Sequence, residues 1–171
     1  MRTIAIAATT LDGKIALGPD HFSDWTSPED KAFMRGLLDE AGVVVVGNNT
    51  YKTAKEPLSK RNCIVLTGSV ETTERVSDKL LYVNPAGADM KEILEPYSTV
   101  AILGGAKTYS YFLQNDLLDE LYLTIEPIVC GRGISLFEHN AALSDHFSLL
   151  SIQKLNENGT VLLHYRVANS K

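Results

Sequence analysis

Cysteine is scarce here: two in 171 residues, Cys63 and Cys130, far apart and with no CxxC spacing. That excludes a disulfide framework and a thiolate metal cluster, and it makes buried free thiols in a reducing compartment the expectation. The four histidines, His21, His139, His146 and His164, show no ligand spacing either, so no metal is expected. Positive charge is in deficit. Sixteen lysines and arginines against 21 acids leave a formal charge of -5 with no long run of one sign, which argues against a nucleic-acid partner. No apolar run is long enough to span a bilayer, and the opening "MRTIAIAATTLDG" lacks a convincing cleavage site. The expectation is a cytoplasmic protein with no membrane partner. No repeat, low-complexity tract or linker interrupts the chain, and its length suffices to bury about two-thirds of its unfolded surface, so a single domain over 1–171 is expected.

What the chain does have is a series of short, continuous apolar runs: 3–9, 43–47, 62–67, 80–84 and 100–105. Such runs suit strands covered on both faces. Between them lie helical patterns at about 28–41, with Phe33, Met34, Leu37 and Ala41 as its stripe, at about 89–96, and at about 106–115. Strand and helix in alternation predict an α/β fold with a mainly parallel central sheet flanked by helices. The end of the chain changes character. A strand over 120–129 and two strand-like segments around "NENG" within 149–167 predict an antiparallel C-terminal hairpin.

Three of the buried runs end in glycine and small polar residues: Gly47-Asn48-Asn49-Thr50, Thr67-Gly68-Ser69 and Gly104-Gly105 before Ala106-Lys107-Thr108. Ligands of open α/β sheets collect beyond the carboxyl ends of the strands, and a helix start after a glycine pair attracts phosphate. Together these termini suit a phosphorylated, dinucleotide-sized ligand. In "DWTSPED" (24–30), Ser27 is a good N-cap, Pro28 suits the first helical position, and Asp30 stands where it completes a capping box. Yet positions 30, 33, 34 and 37 share one side of the helix, so this carboxylate also heads the apolar stripe. A partly buried carboxylate there has a raised pKa and accepts two hydrogen bonds side by side, the pattern that N3 and the 2-amino group of a 2-amino-4-oxo pyrimidine ring present.

With "TTLDGKIA", "DWTSPEDKAF", "VVVVGNNTY", "PLSKRNCIVLT", "ILGGAKTYSYFL", "DELYLTIEPIVCGRGISLF" and "LNENGTVLLHY" in this order, the chain resembles the dihydrofolate reductase superfamily nearly end to end. Two branches share the pattern: dihydrofolate reductases, and the pyrimidine reductases of riboflavin biosynthesis. The resemblance implies a dihydrofolate reductase-like fold and reduction by NADPH. It places the nicotinamide near Ala8 and the loop carrying Ile15, and the rest of the cofactor along Gly47, Asn48, Thr50, Thr67, Ser69 and Leu103, then Gly104 to Tyr109. Asp30 becomes the carboxylate that grips the ring, with Thr124 and Trp25 beside it and with Ile6, Met34 and Arg61 contacting substrate. Asn48 stands where the family often has a basic residue, so Lys107, and after it Arg75, is the implied reader of the 2'-phosphate. Arg61 stands where folate reductases hold the glutamate carboxylate, and "YKTAKEP" replaces the "DDP" segment of the riboflavin branch. On these grounds dihydrofolate is the expected substrate. The alternative is a ribosylaminopyrimidine phosphate, favoured by "LDGKIA" and "DELYLTIEPIVCGRG"; a noncatalytic nucleotide-binding homologue is the minor alternative. A fused zinc deaminase is excluded by the absence of its signature. Exposed strand edges suggest a homodimer; His164, Asp12 and Glu120 are expected to have local structural roles.

Overall fold

The computed structural model describes residues 1–18, 21, 24–138 and 146–168; of the residues read above, His139 lies outside them. A nine-stranded sheet forms the centre, in the spatial order β10-β11-β8-β1-β7-β3-β4-β6-β5. Its parallel heart consists of β1 (Arg2–Thr10), β7 (Thr99–Ile102), β3 (Val43–Gly47), β4 (Cys63–Leu66), β6 (Leu80–Val83) and β8 (Glu120–Glu126). Val43 to Val46, Cys63 to Leu66 and Val100 to Ile102 are buried throughout, as continuous apolar runs require of strands covered on both sides. The expected α/β fold with a mainly parallel sheet is therefore observed.

Helix α1 (Pro28–Glu40) covers one face, packing Leu38 with Ile4, Ile6, Val44 and Val46. On the other face lie α4 (Met90–Leu94) and α5 (Ala106–Gln114), with Phe112 fully buried against Ala5, Val45 and Ile102. The α1 stripe differs in one respect from its sequence pattern. Leu38, which the pattern omits, is the buried leucine, while Phe33, Met34 and Leu37 are half-buried. The reason is that Phe33 packs beside Tyr122 at the margin of the sheet, 5.6 Å between ring centres, instead of over its middle.

At one edge, β11 (Val161–Ala168) joins β8 antiparallel and carries β10 (His146–Lys154) outside it. This is the expected hairpin, closed through "NENG". Its outer strand leaves Leu149, Leu150 and Ile152 exposed, the kind of edge on which the homodimer expectation rests. The other edge holds a second antiparallel pair, β5 (Thr73–Ser77) on β6, whose outer strand is exposed at every position. A two-stranded ribbon of β2 (Lys14–Ala16) and β9 (Ile134–Ser135) lies apart, and two short helices, α2 (Asn48–Thr53) and α3 (Lys55–Leu58), follow β3.

Three boundaries fall short of the apolar runs that suggested them. Strand β8 stops at Glu126, not 129, because Pro127 has no N–H for the ladder. Strand β7 stops at Ile102, not 105, because Gly104 takes a φ of +93. Helix α4 covers only 90–94, capped by the Asp89 carboxylate on the Lys91 and Glu92 amides. Of the two thiols expected to be buried, only Cys63 is, and burial pushes it up to about 12; Cys130 is half-exposed, its thiol donating to the Arg132 carbonyl at 2.9 Å. No helix among the described residues is long and apolar enough to cross a membrane.

Candidate active site

A single cleft of about 1560 Å³ runs along the carboxyl ends of β1, β3, β4 and β7, where parallel strands release their chain into loops. Its floor near the middle is Ile6 and Ala8 from β1, with Ile15 above them on β2. One arm reaches between β1 and α1 and is walled by Asp30, Met34 and Arg61. The other follows the strand ends past Gly47, Asn48, Thr50, Thr67 and Leu103 to Gly105, Ala106, Lys107, Thr108 and Tyr109. Most of the residues singled out in the sequence thus face one space. Ser69, Gly104, Thr124, Trp25 and Arg75 do not contribute to its wall.

The arm along the strand ends is built from backbone. Gly47 ends β3, and its amide donates to the Gly104 carbonyl at 2.7 Å, which brings β3 against the start of α5. A Cβ on Gly47 would meet the Thr108 hydroxyl at 2.9 Å, and one on Gly104 would meet the Tyr109 ring at 2.8 Å. Gly104 thus acts through the backbone that it lets approach Tyr109, and the peptide joining it to Gly105 is cis. Helix α5 starts at Ala106 with Gly105 as cap and no side-chain cap bond, so its first amides and its dipole are left to whatever occupies the cleft. Helix α2 starts the same way, with Gly47 as its cap. At the end of β4 the Thr67 hydroxyl bonds Ser69 through both its hydroxyl and its amide, at 3.0 and 3.2 Å; Ser69 therefore shapes the turn behind Thr67. Lys107 faces the cleft, whereas Arg75 lies on the outer strand β5.

The other arm is built from side chains. Ser27 caps α1 as its sequence requires, its hydroxyl accepting from the Asp30 amide at 3.3 Å, and Pro28 opens the helix. The capping box, however, does not close. Instead of receiving the Asp30 carboxylate, the Ser27 amide donates to Glu126 Oε1 at 2.7 Å. Asp30 is left free of the cap, 6 % exposed, with its carboxylate taking hydrogen bonds from Thr124 and Thr26. Its pKa is raised: burial is the main cause and the Glu126 charge adds to it, against the lowering effect of the two hydroxyls and of Lys31. Beneath it the Tyr109 hydroxyl donates to the Ile6 carbonyl at 2.6 Å, and burial holds that phenol far above its usual range. Thr124 stands behind Asp30 and orients it. Trp25, two residues before the cap, is half-buried, and its indole N–H meets no acceptor among the described residues.

Toward the outer end of this arm the wall carries Lys31, Arg35, Lys60 and Arg61, with Asp39 as the nearby acid. The Arg61 guanidinium is already engaged, donating to the Leu38 carbonyl and to Asp39 Oδ1, each at 2.5 Å. It pins the start of β4 to the end of α1. The Lys31 ammonium is turned to the Asp24 carbonyl at 2.8 Å. Sequence reasoning did not single out Thr26, Glu126, Lys60 or Arg35. Thr26 was detectable as a hydroxyl flanking the cap; Glu126 was not, since its partner Ser27 is 99 residues away.

The family profile described as dihydrofolate reductase matches residues 2–148 of this chain. An uncharacterized protein of Bacillus subtilis, YwjB, is 28% identical over 96% of this chain and 97% of its own. Among solved structures, a protein assigned to riboflavin biosynthesis from Shewanella sp. PV-4 superposes with a TM-score of 0.77 at 25% identity, covering 99% of this chain and 100% of that one. The dihydrofolate reductase of Enterococcus faecalis, complexed with NADP(H), superposes with a TM-score of 0.67 at 18% identity, over 98% and 97% of the two chains.

Proposed function

Because this chain belongs to the dihydrofolate reductase family, we propose that it is an NADPH-dependent reductase whose substrate is a ribosylaminopyrimidine phosphate of riboflavin biosynthesis. The observation that carries the reading is the buried Asp30 carboxylate facing a cleft that runs on one side to an uncapped helix start and on the other to a cluster of cations. NADPH, when bound, supplies a hydride. The amides at the start of α5, with Asn48, Thr50, Thr67 and Lys107, hold its phosphates, and Ala8, Ile15 and Leu103 flank the nicotinamide. Asp30 would meet the polar edge of the ring, Thr124 would hold the carboxyl group in place, and Ile6 and Met34 would close on the ring faces. Alignment of ring and nicotinamide is the main contribution of the protein. The raised pKa of Asp30 would let it hold a proton at its end of the cleft.

The tail decides between the two branches of the family. A phosphate monoester carries close to two negative charges at neutral pH, and four cations with one acid suit it. A glutamate tail calls for a free guanidinium fork, and the fork of Arg61 is held by Asp39 and Leu38. Dihydrofolate is the second reading, favoured by the family profile that the chain matches. The test is NADPH oxidation with each substrate in turn, for wild type and Asp30→Asn. The expected result is the larger rate with the pyrimidine phosphate and a fall of at least about a hundredfold in the variant, the scale of losing a proton-holding and orienting group. A larger rate with dihydrofolate selects the second reading. Absence of turnover with both ends the reductase reading in favour of a nucleotide-binding homologue.

A further inference from the structure

A buried acid that no cation neutralises is a costly device, and this molecule has two side by side. Glu126 is 5 % exposed at the end of β8, two residues beyond Thr124 and on the same face of the strand. One of its oxygens accepts from the Ser27 amide and the other from the Thr160 hydroxyl, both at 2.7 Å. Thr160 is itself 1 % exposed and is held by Asn156, whose amide nitrogen donates to the Thr160 hydroxyl at 3.0 Å and to Glu29 at 3.1 Å. A chain of contacts therefore leads from the turn of the C-terminal hairpin through Glu126 to the cap of α1, and Ser27 in turn receives the Asp30 amide. No lysine or arginine among the described residues pairs with Glu126 or Asp30.

A carboxylate serves both of these donors at once, whereas a glutamine that accepted from the Ser27 amide would turn an N–H toward Thr160, whose hydroxyl donates to Glu126 and accepts from Asn156. Keeping an acid there brings a negative charge, at the cost of its desolvation, to the base of α1. We propose that Glu126 is a positioning residue for Asp30: it replaces Asp30 in the capping box, which frees that carboxylate for the cleft, and it sets a second negative charge behind it. The groups that face Asp30 are Glu126 and Thr124 from β8, Tyr109 from α5, and Thr26 and Lys31 from its own segment, the lysine turned away to Asp24. Glu126 is the anionic member of this set, so it biases Asp30 toward holding a proton. This rests on the reading of Asp30 as the ring-holding group.

The test needs no substrate, which separates it from the assay of the reductase reading. In ligand-free protein with carbon-13 at the side-chain carboxyls, Asp30 is assigned as the signal missing from Asp30→Asn and titrated in wild type and Glu126→Gln. The expected result is a midpoint lower by about half a pH unit or more in Glu126→Gln, in line with removal of a neighbouring like charge. An unmoved midpoint in a folded variant overturns the proposal. Should Glu126→Gln not fold, Glu126→Ala is titrated in its place, with the same two outcomes for the Asp30 midpoint. For the positioning half, Glu126→Ala is expected to lower kcat with the pyrimidine phosphate about tenfold or more, with Glu126→Gln restoring most of the loss near the acid end of the pH profile, where Asp30 holds its proton without the neighbouring charge. Equal kcat in wild type and Glu126→Ala overturns it.

Discussion

The two ends of β8 solve one problem in opposite ways. Glu120, Tyr122, Thr124 and Glu126 alternate along the same face of the strand, with an acid at each end. At the first end Glu120 receives Arg2 at 2.6 Å and His164 at 2.7 Å, and His164 lies stacked on Tyr122 with ring centres 4.0 Å apart. Burial there would raise the Glu120 pKa, yet the bonds from Arg2 and His164 outweigh it and hold it low. At the second end Glu126 and Asp30 have hydroxyl and amide donors without a cation, and Asp30 is raised. The half-buried Glu120 is neutralised, whereas the buried Asp30 beside the cleft pairs with no lysine or arginine among the described residues, which on the proposed function suits a donor that comes from outside. The difference is a candidate for function because both ends belong to one strand.

The largest effect that follows is on turnover. Asp30→Asn is expected to lose at least about a hundredfold in kcat/KM, whereas Glu120→Gln is expected to stay within about twofold, both followed by NADPH oxidation. Comparable losses in the two variants would erase the distinction between the ends. Next comes the arm along the strand ends, whose glycine backbone would, on the proposed function, set the nicotinamide opposite Asp30. Gly104→Ala combines a φ of +93 with a contact of 2.8 Å to Tyr109, a ring that its bond to Ile6 holds in place. It is expected to weaken NADPH binding about tenfold and to lower stability by about 2 kcal/mol, read by cofactor titration and by urea unfolding. Gly68→Ala, where nothing lies within 4 Å, is the control that should change neither by much.

The ends also differ in how they couple stability to pH. A raised folded pKa means that the Asp30 contribution is fully present below the ordinary aspartate value, near about 4, and is lost as pH rises through the folded value. Above the folded value the ionised carboxylate therefore works against folding. Asp30→Asn is expected to gain stability relative to wild type as pH rises and to lose that advantage at acid pH, as urea titrations at several pH values would show. A variant that is inactive but sturdier would identify the group as kept for chemistry.

How much of this was legible beforehand depended on the range of the interaction. The runs at 43–47 and 62–67 announced buried strands because every residue in them is apolar, and their glycine and threonine ends announced the arm along the strand ends. Strand β5, "TERVS", gave no signal because all of its residues face solvent, and β9 is two residues long. Pro57 and an absence of apolar period hid α2 and α3. Asp30 was legible from the cap and the stripe, both local patterns. Its release from the cap was not, since Glu126 and Thr160 reach Ser27 only when three distant segments meet. For the same reason Arg61 read as a tail-binding residue: no spacing in the sequence shows that Asp39 and Leu38 take its donors.

The smallest effect belongs to the neutralised end. The Arg2 side chain is 44 % exposed, so water and salt screen its pairing with Glu120, and such pairs contribute about 0.5–1 kcal/mol. Because the Glu120 pKa is lowered, its contribution is present above the ordinary glutamate value and is lost as pH falls through the folded one, the reverse of Asp30. Glu120→Gln should therefore cost about 0.5–1 kcal/mol at pH 7 and less at acid pH, where the wild-type acid also takes up a proton. Raising the salt to about 1 M should shrink the difference further. Urea unfolding of wild type and variant, compared across pH and salt, measures both dependences; a cost that persists unchanged at acid pH would assign Glu120 to packing and remove the charge from the account of that end.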